Sequence, residues 1–148
     1  MNFTRTATCR FTVASWSEEL VVDIDGEDQG TRAGDLYYPH RGFTRADCGY
    51  AYSGDLDATS TLTYLIAYKP EGAPVIGFEQ VVGTLDGHDG SFVFRHTGWQ
   101  DAGSVRASLA VVEGLGTGGL ESLRGTAELE IAGHSDDGYA LELHYDLD

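Results

Sequence analysis

Between Gly54 and Gly133 the chain is a succession of short segments in which apolar residues alternate with polar or small ones, separated by glycine turns. Residues 62–68, 91–97 and 104–112 are segments of this kind. A period of two places successive side chains on opposite faces of a β-sheet, so the pattern predicts strands. Antiparallel strands in a chain of 148 residues must close on themselves or stack as two sheets to cover their edges. A closed sheet encloses a pocket, so the same pattern also bears on function.

The rest of the chain extends this pattern to about eight strands. The predicted strands are residues 5–16, 43–53, 60–68, 75–85, 91–99, 104–113, 126–132 and 139–147, with a further apolar run at residues 20–24. The acidic, glycine-rich residues 23–35 predict a loop, and residues 86–90 predict a hairpin loop. In the first strand, the alternation places Val13 on one face and Trp16 on the other. We therefore predict one all-β domain over residues 1–148.

The charge balance limits the classes of partner. The chain has 24 acidic and 9 basic residues, a formal net charge of −15, which repels nucleic acid and anionic membranes. It contains no apolar run of membrane-spanning length and no apolar signal segment near its first residues, so we expect a cytoplasmic protein. Cys9 and Cys48 are too few for a disulfide scaffold, and we expect both to be reduced core residues. The sequence leaves open whether the protein forms a homo-oligomer.

Two motif matches do not have the context that their chemistry needs. Residues 114–119 match GxGxxG, but no helix of sufficient length follows to bind a pyrophosphate. We expect a wide turn there, with Leu115, Leu120 and Leu123 plugging a barrel end. The acidic residues 23–28 lack the glycine and glutamate spacing of a calcium loop, and the five histidines lack metal-binding spacing. We therefore expect neither a metal nor a cofactor.

Two polar residues on apolar strands are the candidate catalytic groups. Glu79 follows an apolar strand start, and His96 ends the alternation of Phe92 and Phe94. A carboxylate beside an imidazole in an apolar chamber is suited to proton transfer, because burial moves both pKa values toward neutrality. The alternative is that each side chain is satisfied by hydrogen bonds or lies at a wet rim.

Aromatic residues form the second candidate set. The predicted substrate-contacting residues are Tyr38, Tyr50, Tyr52, Tyr64, Phe94, Trp99 and Tyr145. Buried tyrosine and tryptophan side chains usually need partners for their O–H and N–H groups, so such rings can orient a polarised, largely apolar ligand. The alternative is ordinary packing in the core or on the barrel exterior.

Several segments resemble a small uncharacterised bacterial family that is related in fold to allene oxide cyclase. The matching segments are residues 12–16, 53–57, 64–68, 83–87, 90–98, 116–118, 123–125, 133–134 and 145–147. The resemblance implies an eight-stranded antiparallel closed barrel of the allene oxide cyclase type (calycin-like). It also places Glu79 and His96 where the family has Glu and His, whereas Arg95 replaces a residue that is more often Gln. Residues 21–49 depart most from the family pattern.

Related barrels include cofactor-free cyclases, and this class is what the resemblance implies for function. We expect a cyclase or isomerase that templates the ring closure or cycloaddition of an apolar small molecule, such as a polyene or polyketide precursor in antibiotic biosynthesis. The alternatives are a noncatalytic carrier of a small ligand and a structural barrel filled by its own side chains. An interior cavity of roughly 300–1,000 Å³ would separate the first two from the third.

The departing segment predicts a lid loop at about residues 20–45. Gly26, Gly30, Gly34 and Gly42 are its expected hinges, and residues 37–39 (Tyr-Tyr-Pro) its expected apolar underside. We expect this loop to be the most mobile part of the chain and to cover one mouth of the barrel.

Overall fold

The structure is a computed structural model that describes residues 2–26, 29–33, 36–101, 104–133 and 135–148. Its strands are β1 (Arg5–Asp23), β2 (Thr31–Ala33), β3 (Leu36–Tyr38), β4 (Gly42–Gly54), β5 (Leu56–Tyr68), β6 (Ala73–Leu85), β7 (His88–Asp101), β8 (Ser104–Val111), β9 (Thr117–Gly118), β10 (Arg124–Ala132) and β11 (Tyr139–Asp146). Within these described ranges, no helix is long and apolar enough to cross a membrane.

Eight of the strands form a closed antiparallel barrel, which confirms the predicted fold. Their order is β6-β5-β4-β1-β11-β10-β8-β7, and the pairing of β6 with β7 closes the ring. The short strands β2 and β3 pair only with each other in the segment between β1 and β4, and β9 pairs with the beginning of β7. Every barrel strand has two neighbours along part of its length, which closes the ring. Among the described residues, β1 beyond Phe11 has a register only with β4, and β10 beyond Ala127 only with β8.

The turn between β6 and β7 shows how local sequence sets the register. Asp86 and Gly87 both have positive φ, of 47° and 86°, as the two-residue hairpin turn that matches strand twist requires. The loop is therefore shorter than the predicted residues 86–90, and β7 begins at His88. The register that follows places Glu79 opposite Phe94 and Gly77 opposite His96.

A bulge in β1 changes which side chains enter the barrel. Val13 pairs with Tyr50 and Ser15 with Gly49, so one residue of β1 is extra at this point. Beyond the bulge the alternation is reversed, and Trp16 lies on the same inward face as Val13. The prediction that these two residues occupy opposite faces is therefore wrong, because strict alternation does not hold through a bulge.

The two ends of the barrel differ in how they are filled. The end near the Asp86–Gly87 turn, which we call the plugged half, is packed with large buried residues: Leu56, Leu85, Phe92, Leu120, Leu123, Leu143 and Tyr145. At the other end, the open half, several inward positions carry small residues: Ala46, Gly77, Gly98 and Ala107. Leu120 and Leu123 plug the barrel as predicted, but Leu115 is 53% exposed and takes no part.

Candidate functional site

A cavity of about 730 Å³ occupies the open half of the barrel. Its walls are mainly apolar: Phe11, Val13, Ile66, Val75, Val105, Ala107, Leu129 and Ile131. Aromatic residues with polar tips complete the lining: Trp16, Tyr38, Tyr50, Tyr64, Tyr68 and Tyr139. The volume lies within the range of small-molecule pockets, so this half is not filled by its own side chains.

Gly77 explains why two polar side chains meet at the inner end of the cavity. It pairs with Tyr64 on one side and with His96 on the other. A Cβ atom at this position would lie 2.7 Å from Cδ1 of Tyr64 and 2.4 Å from the backbone oxygen of Thr63. The absence of a side chain therefore allows the Tyr64 ring to approach the imidazole, with 5.3 Å between ring centroids.

A continuous chain of hydrogen bonds runs from the cavity wall into the core. The Tyr50 and Tyr64 hydroxyls are 3.1 Å apart, and the Tyr64 hydroxyl is 3.2 Å from Nδ1 of His96. On the far side of the ring, Nε2 lies 2.8 Å from Oε1 of Glu79. The Tyr52 hydroxyl donates to Oε2 of Glu79 at 2.6 Å. We call these five residues the relay; Tyr50, Tyr64 and His96 line the cavity, whereas Glu79 and Tyr52 lie behind them.

Burial fixes the protonation of the relay tyrosines. Desolvation raises the pKa of Tyr50, Tyr52 and Tyr64 well above the ordinary phenol value. The Glu79 carboxylate adds to the upward shift of each pKa, most strongly at Tyr52, which is hydrogen-bonded to it. All three phenols therefore keep their protons near neutral pH and act as neutral hydrogen-bond donors.

The relay satisfies the polar groups of Glu79 and His96, whose side chains are 0% and 2% exposed. Two proton arrangements fit the distances. With one proton on Nδ1 and another between Nε2 and Glu79, His96 donates to Tyr64, which donates to Tyr50, and the Tyr50 proton points to the cavity. With Nδ1 unprotonated, the direction of these donations is reversed, and the Tyr50 oxygen is free to accept. The cavity end of the relay can therefore present a donor or an acceptor.

The structure adds a second carboxylate, Glu18, which the sequence analysis did not identify. Its Oε2 accepts hydrogen bonds from the hydroxyls of Thr44 at 2.6 Å and Tyr68 at 2.7 Å. Its Oε1 accepts one from Nε1 of Trp16 at 3.2 Å. Glu18 was missed because it follows the β1 bulge, where simple alternation from the strand start predicts the wrong face. The sequence did contain a signal for Glu18: Trp16, Glu18 and Leu20 are two residues apart, which places them on one face of a strand.

The predicted substrate-contacting aromatic residues are divided between five places. Tyr38, Tyr50 and Tyr64 line the cavity, and Tyr52 lies behind it at Glu79. Phe94 points inward as expected, but it is 0% exposed and packs in the core against Phe92, with ring centroids 5.0 Å apart.

Trp99 and Tyr145 lie away from the cavity. Trp99 is one residue out of phase with His96 and Gly98, so its ring is on the outer wall, where Nζ of Lys69 lies 4.8 Å from the ring centroid. Tyr145 points inward at the opposite end of the barrel, where its hydroxyl donates to Asp86. Aromatic residue type alone indicated neither the face nor the end of the strand.

The lid segment, which we define as the described residues between 24 and 41, lies at the mouth of the cavity. Thr31, Tyr38, Pro39 and His40 contribute to the lining. The segment is shorter than predicted, because residues 19–23 and 42–45 pair with each other as the ends of β1 and β4. The predicted hinge Gly34 lies outside the described residues.

Tyr37 has a different role from the one predicted. It is not a lining residue; its hydroxyl donates to Oδ2 of Asp23 at 2.6 Å and accepts from the backbone N–H of Gly30 at 3.0 Å. These bonds tie the lid segment to the end of β1. Arg41 adds an ion pair to Asp25, with 2.6 Å between the closest atoms.

The two cysteines are free and buried, as predicted. Burial raises the pKa of Cys9 to about 11 and that of Cys48 to about 12, and the Glu79 carboxylate contributes to both shifts. Both thiols are therefore protonated and unreactive near neutral pH. In the part of the chain that the structure describes, no three His, Cys, Asp or Glu side chains come together in a group that could hold a metal ion.

Comparison with known proteins gives a family but no activity. The sequence model of a family described as "Protein of unknown function (DUF3224)" matches residues 7–143. No curated protein matches the chain. The chain is similar to a crystal structure, at 1.84 Å resolution, of a protein with unknown function from the DUF3224 family from Shewanella oneidensis MR-1. The two are 26% identical over 97% of this chain and 98% of the other, with a TM-score of 0.72.

Proposed function

The chain belongs to the DUF3224 family of proteins of unknown function, and we propose that it binds an apolar small molecule in the open half of its barrel and catalyses its isomerisation or cyclisation without a cofactor. One observation carries this proposal: Tyr50, Tyr64 and His96 line a cavity of about 730 Å³ and are hydrogen-bonded to one another, with Glu79 buried behind His96. A cavity with a few convergent polar groups is the usual form of a small-molecule site.

The relay supplies a hydrogen bond at the point where charge would develop. When a ring closes or a double bond moves in a substrate that carries a carbonyl, hydroxyl or epoxide, negative charge grows on its oxygen. The neutral Tyr50 hydroxyl donates to that oxygen, and Tyr64 and His96 orient the donor. An isomerisation conserves atoms and electrons, so no oxidant, reductant or second substrate is required.

The cavity walls supply the larger part of the proposed catalysis. A flexible polyene must adopt one conformer before its ends can react, and a rigid apolar wall selects that conformer. Phe11 packs against Tyr50 and Tyr139, with ring centroids 4.7 and 5.5 Å away, so this side of the wall is stiff. The family resemblance to cyclases of the allene oxide cyclase type points to the same class, and to polyketide or antibiotic biosynthesis as its setting.

A noncatalytic carrier is the second candidate. It is favoured by the burial of Tyr50, Tyr64 and His96, which are 7%, 8% and 2% exposed and hydrogen-bonded to one another, as in a satisfied core. A carrier needs the cavity and the lid segment but not the relay. Turnover therefore separates the two candidates.

The test is a conversion assay on a panel of apolar conjugated enones, epoxides and polyenes, including the products of any ring-forming pathway encoded by neighbouring genes. Product is followed by NMR with wild-type protein, with Tyr64→Phe, and with Trp99→Ala as a control on the outer wall. We expect conversion by wild type and Trp99→Ala and slower conversion by Tyr64→Phe. Binding without conversion of any member of the panel would instead support the carrier.

A further inference from the structure

Glu18 is a negative charge in the cavity wall without a positive partner. Its carboxylate accepts hydrogen bonds from three neutral donors, Trp16, Thr44 and Tyr68. Among the described residues, no Lys, Arg or His nitrogen lies within 4.0 Å of it. A half-buried carboxylate retains a strong attraction for a cation when only neutral groups surround it.

The two cationic side chains at the mouth, Lys69 and His40, do not neutralise Glu18. Lys69 is a lining residue of the cavity, and its ammonium lies 4.8 Å from the centroid of the Trp99 ring. His40 is exposed and makes no ion pair among the described residues. Among the described residues, neither cation lies within 4.0 Å of the Glu18 carboxylate, so the charge directly beside Trp16, Thr44 and Tyr68 is negative.

Aromatic rings surround the same carboxylate. Trp16 and Tyr68 are bonded to it, and the Tyr38 ring lies 5.7 Å from the Tyr68 ring. The Trp16 ring lies 6.3 Å from that of Tyr64, which connects this group to the relay. Electron-rich ring faces attract organic cations, and a carboxylate beside them adds a direct charge interaction. Small inorganic ions are served less well, because one carboxylate and neutral hydroxyls replace little of their hydration shell.

We propose that the natural ligand carries a positively charged nitrogen, an ammonium or alkylated amine, which binds among Trp16, Tyr38 and Tyr68 beside Glu18 while its apolar body extends toward the relay. This proposal rests on the small-molecule function proposed above and specifies its substrate class. The protein's net charge of −15 favours the same class, because it attracts cations to the molecule and repels anions.

The test uses three aromatic probes that differ in charge: benzyltrimethylammonium, its uncharged carbon isostere neopentylbenzene, and phenylacetate. Binding is measured by NMR titration with wild type, Glu18→Gln and Glu19→Gln. Glu18→Gln retains an oxygen acceptor and removes the charge. Glu19→Gln removes one charge from the adjacent exposed residue, which pairs with Arg45, and is the matched control.

We expect Glu18→Gln to weaken benzyltrimethylammonium about tenfold or more and to leave neopentylbenzene within about twofold. Glu19→Gln should leave both affinities unchanged, and phenylacetate should bind wild type more weakly than the cation. Equal effects of Glu18→Gln on cation and isostere, or tighter binding of phenylacetate, would overturn the proposal while leaving the small-molecule site intact. Failure of all three probes to bind wild type would contradict the proposed function as well.

Discussion

The plugged and open halves of this barrel are built from the same eight strands with the same alternation, yet they differ in what they can do. In the plugged half, inward positions carry residues such as Phe92 and Leu85, which are 0% exposed. In the open half, the corresponding positions on the same strands carry Gly98 and Gly77. Side-chain volume at a few inward positions therefore decides which half is a core and which half is a pocket.

The two halves also differ in their polar groups. The relay lies where the two halves meet, with Glu79 beside the core and Tyr50 at the cavity. A buried carboxylate and imidazole are costly to a core unless they are hydrogen-bonded, and here each is satisfied. The open half can therefore hold polar chemistry because the plugged half supplies most of the packing.

Replacing one phenylalanine in each half by alanine should give the largest difference between the two halves. Phe92→Ala should lower the free energy of unfolding by about 3–5 kcal/mol, because it creates a cavity in a filled core. Phe11→Ala should cost about 1–2 kcal/mol less, since one side of that ring already faces the cavity. Urea unfolding followed by circular dichroism measures both free energies of unfolding. Phe78→Ala is the control, because Phe78 is 59% exposed. An equal cost at Phe92 and Phe11 would contradict the distinction.

Replacing residues of the relay should slow turnover more than it disturbs the packing of the cavity wall. On a substrate found by the conversion assay, Glu79→Gln and His96→Ala should lower the rate roughly ten- to a hundredfold, the scale of one hydrogen bond to a developing charge. Tyr64→Ala should lower it as much or more, because the substrate can then relax. Complete loss of conversion in Glu79→Gln, with folding and binding retained, would show that acid–base catalysis and not conformer selection is central.

The lid segment gives a smaller, local prediction. Tyr37→Phe removes the hydroxyl that binds Asp23 and Gly30, so amide hydrogen exchange in the lid segment should accelerate by about five- to tenfold. Strands β5 to β7 should be unaffected, and a bound ligand should slow exchange in the lid segment. Tyr38→Phe is the matched control, because its hydroxyl makes no hydrogen bond among the described residues. Equal exchange in both variants would contradict the proposed tie.

The buried thiols give a prediction about pH dependence. The pKa of Cys9 is about 11 and that of Cys48 about 12 in the folded protein, against 9.0 for an ordinary thiol. As the pH rises above 9.0, the unfolded chain loses these protons first, so the free energy of unfolding should fall between pH 9 and about 11–12. The double variant Cys9→Ala, Cys48→Ala should show a flatter slope between pH 9 and 10. An unchanged slope would contradict burial as the cause.

Much of the fold, but only part of the site, follows from the sequence. Alternation predicted the barrel strands and placed Phe92, Phe94 and His96 on one face, but it left open whether that face points inward. It could not predict that Gly77 admits Tyr64 to the imidazole, since that depends on register between strands. Glu18 was missed because a bulge reverses the face of β1.

Polar residues on apolar strands indicated Glu79 and His96, and the resemblance agreed with them, but neither indicated their surroundings. Trp99 and Tyr145 show that an aromatic residue near a strand end can belong to the outer wall or to the far end of the barrel. The structure at the mouth of the cavity was equally difficult to predict. The lid segment is held there by a hydrogen bond from Tyr37 to Asp23, which is not a neighbour in the sequence. Local patterns determine strands, whereas a site depends on which strands meet.

A methyl NMR titration with neopentylbenzene tests most directly whether the open half alone is the binding site. We expect shift changes and intermolecular nuclear Overhauser effects at methyl groups of the cavity wall: Ile66, Val75, Val105, Leu129 and Ile131. Methyl groups of the plugged half should remain unchanged: Leu56, Leu85, Leu120 and Leu143. Contacts to the second group, or no contact to the first at saturating probe, would contradict the central claim.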